Sequence, residues 1–142
     1  MTRPTPSDIE IAVRLLDHEP PTGPGANERA AAAVRVYERL FERLSPVIGV
    51  AGMRAILARS ARITKPRFPS LEAASVASDL AAEHLRSCFL QLEEAEMADA
   101  AAALYGTLLG LLNGFIGERL VWQVLRSAFP GIEESKPNER ES

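Results

Sequence analysis

The chain has 142 residues, of which 46% are hydrophobic and 25% charged, as in an ordinary globular domain with a single core. A net charge of −3 provides no general basic field, which argues against a nucleic-acid-binding protein. The single cysteine excludes an internal disulfide framework. Together with an N-terminus that lacks the apolar segment of a signal peptide, it favours a cytoplasmic location.

The first predicted helix follows a flexible N-terminus at residues 1–6. Ser7 and Glu10 have the spacing of a capping box, in which the serine side chain binds a free backbone amide. This pattern predicts a short helix from Ser7 to about Asp17. Residues 19–25 then form a loop, because their prolines and glycines do not continue a helix well.

Two longer helices are predicted next. Asn27 can cap a helix that extends to about Leu44, in which apolar side chains recur on one face at helical spacing. The pair Ser45-Pro46 predicts a stop and a restart, because serine is a cap residue and proline suits the first helical position. The third helix then extends to about Ile63.

An acidic turn separates the last two main helices. The prolines of residues 64–69 end the third helix, and Ser70 can cap a fourth helix that extends to about Leu92. The acidic run at residues 93–96 marks a turn, and acidic side chains suit the first turn of the helix that follows. The final helix is predicted over residues 97–128.

These elements predict one all-α domain at residues 7–130. Its architecture is an antiparallel bundle of four main helices with the short N-terminal helix packed against it. The chain shows no strand-type alternation of apolar and polar residues. Residues 131–142 are polar and lack an apolar period, so they are predicted to form a disordered tail.

Residues 100–117 form the most informative segment, because they carry no charge. A helix that is apolar on all sides is buried in a protein core or in a lipid bilayer. Its eighteen residues are at the lower limit for a membrane span, acidic residues precede it, and no basic flank sets an orientation. The sequence therefore favours the buried central helix of a soluble bundle.

Glycines recur along this segment at Gly106, Gly110 and Gly114, and Gly117 follows them. A glycine inside a helix costs about 1 kcal/mol relative to alanine. A stripe of glycines therefore predicts a surface that another helix approaches closely. On the same helix, Asn113 is expected to hydrogen-bond across a helix interface or to border a water-filled gap.

Two segments carry a resemblance to known proteins. The first is Val36-Tyr-Glu-Arg-Leu-Phe-Glu-Arg-Leu-Ser-Pro-Val-Ile-Gly49 with Ile56-Leu-Ala-Arg59; the second is Phe115-Ile-Gly-Glu118 with Val124-Leu-Arg126 and Phe129-Pro130. Together they resemble a group of small helical bacterial proteins and domains of unassigned function, over most of residues 30–130. The abundance of arginine and alanine is typical of GC-rich bacterial genomes. The resemblance implies a helical bundle and supplies no activity and no site.

A buried ion pair is predicted between Arg59 and Glu118. Glu118 directly follows the uncharged segment and shares a predicted helical face with Phe115 and Trp122, and a buried carboxylate needs a partner. Arg54 and Arg59 flank the core stripe of the third helix equally, and Arg59 is preferred because one of the two familiar segments contains it. A structural role is favoured over a catalytic acid, because no second titratable group clearly shares the site.

Basic side chains are dense around the end of the third predicted helix. They could hold an anionic ligand or an acidic partner, or they could face the acidic residues 93–99 within the bundle or be solvated. Internal pairing or solvation is favoured, and the scarcity of aromatic side chains argues against single-stranded nucleic acid. The candidate anion patch consists of Arg54, Arg62, Lys65 and Arg67.

No metal site, cofactor or enzymatic activity is predicted. His84 and Cys88 share a helical face, but a zinc site needs three or four ligands. The sequence contains neither a nucleophile elbow nor a glycine-rich phosphate loop.

The chain is interpreted as a non-catalytic protein-interaction or regulatory module that binds a protein partner or a second copy of itself through the glycine-lined helix. The alternative is a carrier or sensor for a small apolar ligand held between helices. Neither nucleic acid nor a membrane is expected as a partner.

Overall fold

The fold is all-α, as predicted: in the computed structural model, which describes residues 6–132, those residues form helices and connections with no strand. The helices are α1 (Pro6–Asp17), α2 (Ala26–Ile48), α3 (Val50–Thr64), a short 3-10 helix (Pro69–Ser75), α4 (Ala81–Leu90), α5 (Glu94–Ile116) and α6 (Glu118–Ala128).

The first helix ends at Asp17, where the sequence places its end. It begins at Pro6, so Ser7 lies in its first turn rather than at the cap. Proline is well suited to a first helical position, because its fixed φ is helical and its missing N–H has no helical acceptor there. Residues 1–5, the rest of the predicted flexible N-terminus, lie outside the described residues.

The predicted break at Ser45-Pro46 is wrong, because α2 continues through Pro46 and ends at Ile48. The chain turns instead at Gly49, whose φ of +88° lies in a region that side chains disfavour. The Gly49 amide donates to the Ser45 carbonyl oxygen at 2.7 Å and closes the last turn of α2. A proline near the end of a helix is therefore tolerated here, and the glycine sets the boundary.

The single helix predicted from Ser70 to Leu92 is also wrong. A 3-10 helix ends at Ser75, Val76 is extended, and α4 begins only at Ala81. Serine side chains bind the local backbone on both sides of this break, and such bonds compete with a continuous helix. The Ser75 hydroxyl donates to the Glu72 carbonyl oxygen at 2.6 Å, and the Leu80 amide donates to the Ser78 hydroxyl at 2.9 Å.

The final predicted helix, residues 97–128, is two helices separated by Gly117. This glycine has a φ of +94°, and its amide donates to the Asn113 carbonyl oxygen at 3.1 Å. The first of the two, α5, begins earlier than predicted, at Glu94, so that Glu94 and Glu96 both lie in its first turn. There their charges interact favourably with the helix dipole.

The centre of the fold is α5, which packs against all five other α-helices. Tyr105 is fully buried on this helix, and its hydroxyl donates to the Ala33 carbonyl oxygen of α2 at 2.7 Å. The core extends beyond the predicted domain end at residue 130, because Ile132 is fully buried among the core side chains. The predicted tail therefore begins no earlier than residue 133, and residues 133–142 lie outside the described residues.

Candidate functional site

The four glycines of the predicted stripe lie in different environments. Gly106 is buried, Gly110 is half-buried, and Gly114 and Gly117 are exposed. A Cβ added at Gly110 would lie 3.2 Å from a carboxylate oxygen of Asp8, which belongs to α1 of the same chain. A Cβ added at Gly114 would have no neighbour within 4 Å. The stripe is therefore not one continuous interface, because α1 already occupies the surface at Gly110.

Leucine should be poorly tolerated at Gly110 and well tolerated at Gly114. Gly110→Leu must displace Asp8, and overpacking of this kind costs about 1–3 kcal/mol. Gly114→Leu is the matched control, because it adds the same side chain to the same helix in open space and gains helix propensity of up to about 1 kcal/mol. Urea unfolding of both variants measures the difference, and equal stabilities would contradict the assignment of α1 as the close neighbour.

Asn113 connects α5 to α1 by a polar contact. Its side-chain amide nitrogen donates to Asp8 Oδ1 at 3.4 Å. Asp8 is buried in the first turn of α1, where the helix dipole favours a negative charge. The Oδ1 atom of Asn113 is also buried and has no hydrogen-bond partner among the described residues. This pair fixes one position of α1 along α5, because a shift of either helix would leave a buried carboxylate without the amide.

The predicted buried ion pair between Arg59 and Glu118 is wrong. Both side chains are exposed, and no ion pair joins them in the part of the chain that the structure describes. The prediction assumed that α5 continues through Gly117, which would have kept Glu118 on the buried face. The break at Gly117 instead places Glu118 in the first turn of α6, at the surface.

Glu19, in the loop after α1, is a buried carboxylate that two arginines bind. Its side chain is 9% exposed, and Arg35 Nε lies 3.0 Å from its Oε1 atom, while Arg39 contacts Oε2. Arg39 also donates to the Ala128 carbonyl oxygen at 2.8 Å, and its guanidinium lies over the Phe129 ring. The network thereby joins the α1–α2 loop, α2 and the end of α6. A sequence signal for this network is the spacing of Arg35 and Arg39, which are four residues apart and therefore lie on one face of α2.

The four members of the candidate anion patch do not form one site, because each contacts a different neighbour. Arg62 donates to the Ser75 carbonyl oxygen at 2.8 Å, and Lys65 lies 3.3 Å from Glu72 Oε1. The guanidinium of Arg54 lies over the Phe41 ring, and that of Arg67 over the Phe68 ring. The acidic partner of Lys65 is thus Glu72 of the 3-10 helix. The acidic residues 93–99 contribute to none of these four contacts.

The only cysteine, Cys88, is fully buried on α4, and burial raises the pKa of its thiol. A protonated, inaccessible thiol is a poor nucleophile and a poor metal ligand. Within residues 6–132, no group of three or more His, Cys, Asp and Glu side chains is placed to hold a metal ion. His84 is half-buried on the same helix.

An apolar groove of about 300 Å³ lies between α3 and the C-terminal part of α5. Phe115 on its border is 65% exposed, the highest exposed fraction among the large apolar side chains of residues 6–132. The opposite wall contains Gly52 and Ala55, which leave space because they are small. We call this surface the α3–α5 patch; its members are Gly52, Ala55, Ile56, Arg59, Leu111 and Phe115.

Two other clefts are more polar. One, of about 230 Å³, lies beside the α1–α2 loop and includes Glu19, Arg29 and Glu94. The other, of about 210 Å³, lies between α2 and the start of α4 and includes Arg54 and Asp79. In both clefts a charged member is already engaged within the chain, since Glu19 binds two arginines and Arg54 stacks on Phe41.

Among the described helices, α5 alone is long and apolar enough to cross a membrane, with a mean hydropathy of 1.3 in its most apolar window. In the fold, 61% of that window is buried by other helices. A core helix meets the same criterion, so this property is weak evidence for a membrane protein. Searches against protein-family models, curated proteins and solved structures give no match to the chain.

Proposed function

We propose that the chain is a non-catalytic interaction module, and that the α3–α5 patch binds an apolar helical surface of another polypeptide. The exposure of Phe115 beside a small-residue wall carries this proposal. A large aromatic side chain in water next to a shallow groove is the kind of feature that anchors protein interfaces. Burial of one aromatic side chain removes roughly 150–250 Å² of surface from water, a strong contribution from a single residue.

The disposition of the titratable groups supports a role without catalysis. Glu19, the most buried glutamate of residues 6–132, binds Arg35 and Arg39, and Asp8 binds Asn113. A general base has to be able to accept a proton from a substrate, and a carboxylate held by two guanidinium groups is poorly suited to that task. The α3–α5 patch itself contains Arg59 as its one ionisable member.

We also propose that α2, α3, α4 and α5 are the main members of an antiparallel bundle. The short connections between α2 and α3 (Gly49) and between α4 and α5 (residues 91–93) support this arrangement, because short loops favour neighbours that run in opposite directions. The α3–α5 patch would then lie on the outside of the bundle, between two of its main helices.

Site-specific photo-crosslinking tests the proposed contact surface. A benzophenone side chain replaces Phe115 in one variant and Val76 in the other, which is the matched control because these residues are 65% and 64% exposed. The variants are irradiated in the cells that produce them. We expect discrete cross-linked species from position 115 and none from position 76. Ala55→Glu on the opposite wall should abolish them, because it brings a charge into the apolar groove.

The fold should tolerate these changes, since Phe115 and Ala55 are both exposed. Melting curves of the variants verify this. Equal cross-linking at positions 115 and 76, or none at position 115, would contradict the proposal.

The groove volume favours one second candidate, a carrier for a small apolar ligand. About 300 Å³ is at the lower limit of small-molecule sites, and the lining is mostly apolar. Native mass spectrometry of the purified chain separates the two functions. A carrier would show a monomer with an added small mass that Ala55→Trp removes, whereas an interaction module would show complexes with polypeptides.

A further inference from the structure

Tyr37 carries a buried hydroxyl without a partner in the described part of the chain. The side chain is 3% exposed, and the hydroxyl makes no hydrogen bond to another described residue. Buried polar groups in folded proteins are nearly always hydrogen-bonded, so such a group calls for a ligand or another cause. Tyr37 lines the cleft of about 210 Å³ between α2 and the start of α4, together with Arg54 and Ala82; we call it the Tyr37 cleft. The hydroxyl lies towards Arg54, whose positive charge partly lowers its pKa.

The inner surface of the Tyr37 cleft provides hydrogen-bond donors. Burial raises the pKa of Tyr37 to about 12, so its hydroxyl is protonated and can donate at neutral pH. The guanidinium of Arg54 lies over the Phe41 ring, and its N–H groups have no hydrogen-bond or ion-pair partner among the described residues. Ala81 and Ala82 begin α4, whose first amides bind no capping side chain. Donors from a guanidinium, a hydroxyl and a helix N-terminus together suit a carboxylate.

The mouth of the Tyr37 cleft is acidic. Glu38 and Asp79 line it, both are exposed, and neither has a hydrogen-bond or ion-pair partner within residues 6–132. Two carboxylates beside one guanidinium disfavour a simple anion, and the donors inside the cleft disfavour a simple cation. A small zwitterion satisfies both parts, because its carboxylate can enter the cleft while its ammonium group stays at the mouth.

We infer that the Tyr37 cleft binds a small α-amino acid with an apolar side chain. The ligand carboxylate accepts hydrogen bonds from Tyr37, Arg54 and the first amides of α4, and the ammonium group faces Glu38 and Asp79. The ring of Phe41 and the alanine methyl groups provide apolar contact for the side chain. A cleft of about 210 Å³ is smaller than the sites that hold drug-sized molecules, which restricts the ligand to a small one.

Matched ligands test which groups the cleft recognises. The isotope-labelled full-length chain is titrated with L-valine, and amide NMR follows the signals of Ala81 and Ala82, which should shift and saturate at millimolar concentrations. Isobutylamine is L-valine without the carboxylate, and isovalerate is L-valine without the ammonium group. We expect each to bind at least about tenfold more weakly, because each loses one set of charge-assisted hydrogen bonds. Binding of either as tight as that of L-valine would overturn the inference, as would L-valine that produces no saturable shift.

Two variants assign the recognition to named side chains. Tyr37→Phe keeps the ring and removes the hydroxyl, so it should weaken L-valine binding about tenfold without lowering the melting temperature. Arg54→Gln removes the charged partner of the carboxylate, so L-valine should bind this variant no better than isobutylamine does. Arg43→Gln makes the same charge change on α2 outside the cleft and should keep the native preference.

The ratio of the two affinities distinguishes recognition from a structural role, because a damaged cleft would weaken both ligands alike. Native affinity in Tyr37→Phe, or an unchanged preference for L-valine in Arg54→Gln, would overturn the inference. The Tyr37 cleft and the α3–α5 patch share no lining residue. Amino-acid binding and cross-linking from position 115 can therefore fail separately, and the failure of one leaves the other standing.

Discussion

Ending the chain at Gly131 is expected to lower the free energy of unfolding by about 2–4 kcal/mol, because it removes the buried side chain of Ile132. Ile132 has no exposed surface, and its amide donates to the Phe129 carbonyl oxygen at 3.1 Å. Phe129 is itself fully buried and lies beneath the guanidinium of Arg39. Loss of Ile132 would therefore open the core at the place where α6 contacts the Glu19 network.

Two controls separate Ile132 from the residues that follow it. A chain that ends at Ile132 keeps the side chain and should be more stable than one that ends at Gly131. Ile132→Ala in the full-length chain removes the side chain alone and should reproduce most of the loss. Urea unfolding measures all three. If the chain ending at Gly131 unfolds at the same urea concentration as the full-length chain, burial of Ile132 contributes nothing to the free energy of unfolding.

The sequence was a good guide to the helical content and a poor guide to where helices end. The uncharged run predicted a buried central helix, and α5 occupies that position because apolar residues surround it on every side. The boundary at Gly49 was misplaced because Ser45-Pro46 was interpreted as the break, and the boundary at Gly117 was missed because apolar periodicity continues past that glycine. A glycine inside a helix and a glycine that ends one have the same local pattern, and the packing of the flanking segments decides between them.

The error at Gly117 accounts for the error at Glu118. If one helix continued through Gly117, Glu118 would lie on the same helical face as Phe115. The turn at Gly117 ends α5, so the two residues belong to different helices and do not share a face. Both residues are exposed in the structure, so the predicted buried face does not exist there. The buried acid that arginines bind, Glu19, is instead in a proline-rich loop, where periodicity says nothing about burial. The spacing of Arg35 and Arg39, four residues apart on α2, is a local signal for such a carboxylate, but it did not enter the prediction.

Ile132 illustrates a different limit of prediction from the sequence. It follows a Pro-Gly pair and precedes a polar stretch, so it belongs to no apolar pattern. A single apolar side chain of this kind is buried or exposed according to the tertiary structure around it. The α3–α5 patch is a similar case, because its members come from helices more than fifty residues apart in the chain. Neither feature has a local sequence signal.

The two tyrosines of the chain are expected to resist ionisation until the protein unfolds. Tyr37 is 3% exposed, its hydroxyl has no hydrogen-bond partner among the described residues, and burial raises its pKa to about 12, although Arg54 partly opposes the shift. Tyr105 is fully buried, and burial raises its pKa as well. In the unfolded chain both phenols ionise near pH 10. The neutral forms therefore stabilise the fold fully below about pH 10, and that contribution is lost as the pH rises through the folded pKa values.

Alkaline titration should consequently show phenolate absorbance and loss of helical circular dichroism at the same pH. The rise of the Tyr37 pKa from 10 to about 12 alone corresponds to about 3 kcal/mol of stability, which is lost as the pH rises from about 10 to beyond 12. Tyr37→Phe removes both the ionisable group and a buried hydroxyl without a partner, so it should move the alkaline transition to higher pH. Tyr105→Phe also removes an ionisable group, but it loses the hydrogen bond to the Ala33 carbonyl oxygen and should lower stability at neutral pH. Phenolate absorbance that develops near pH 10 while the helical signal is intact would show that both hydroxyls are accessible in the folded chain.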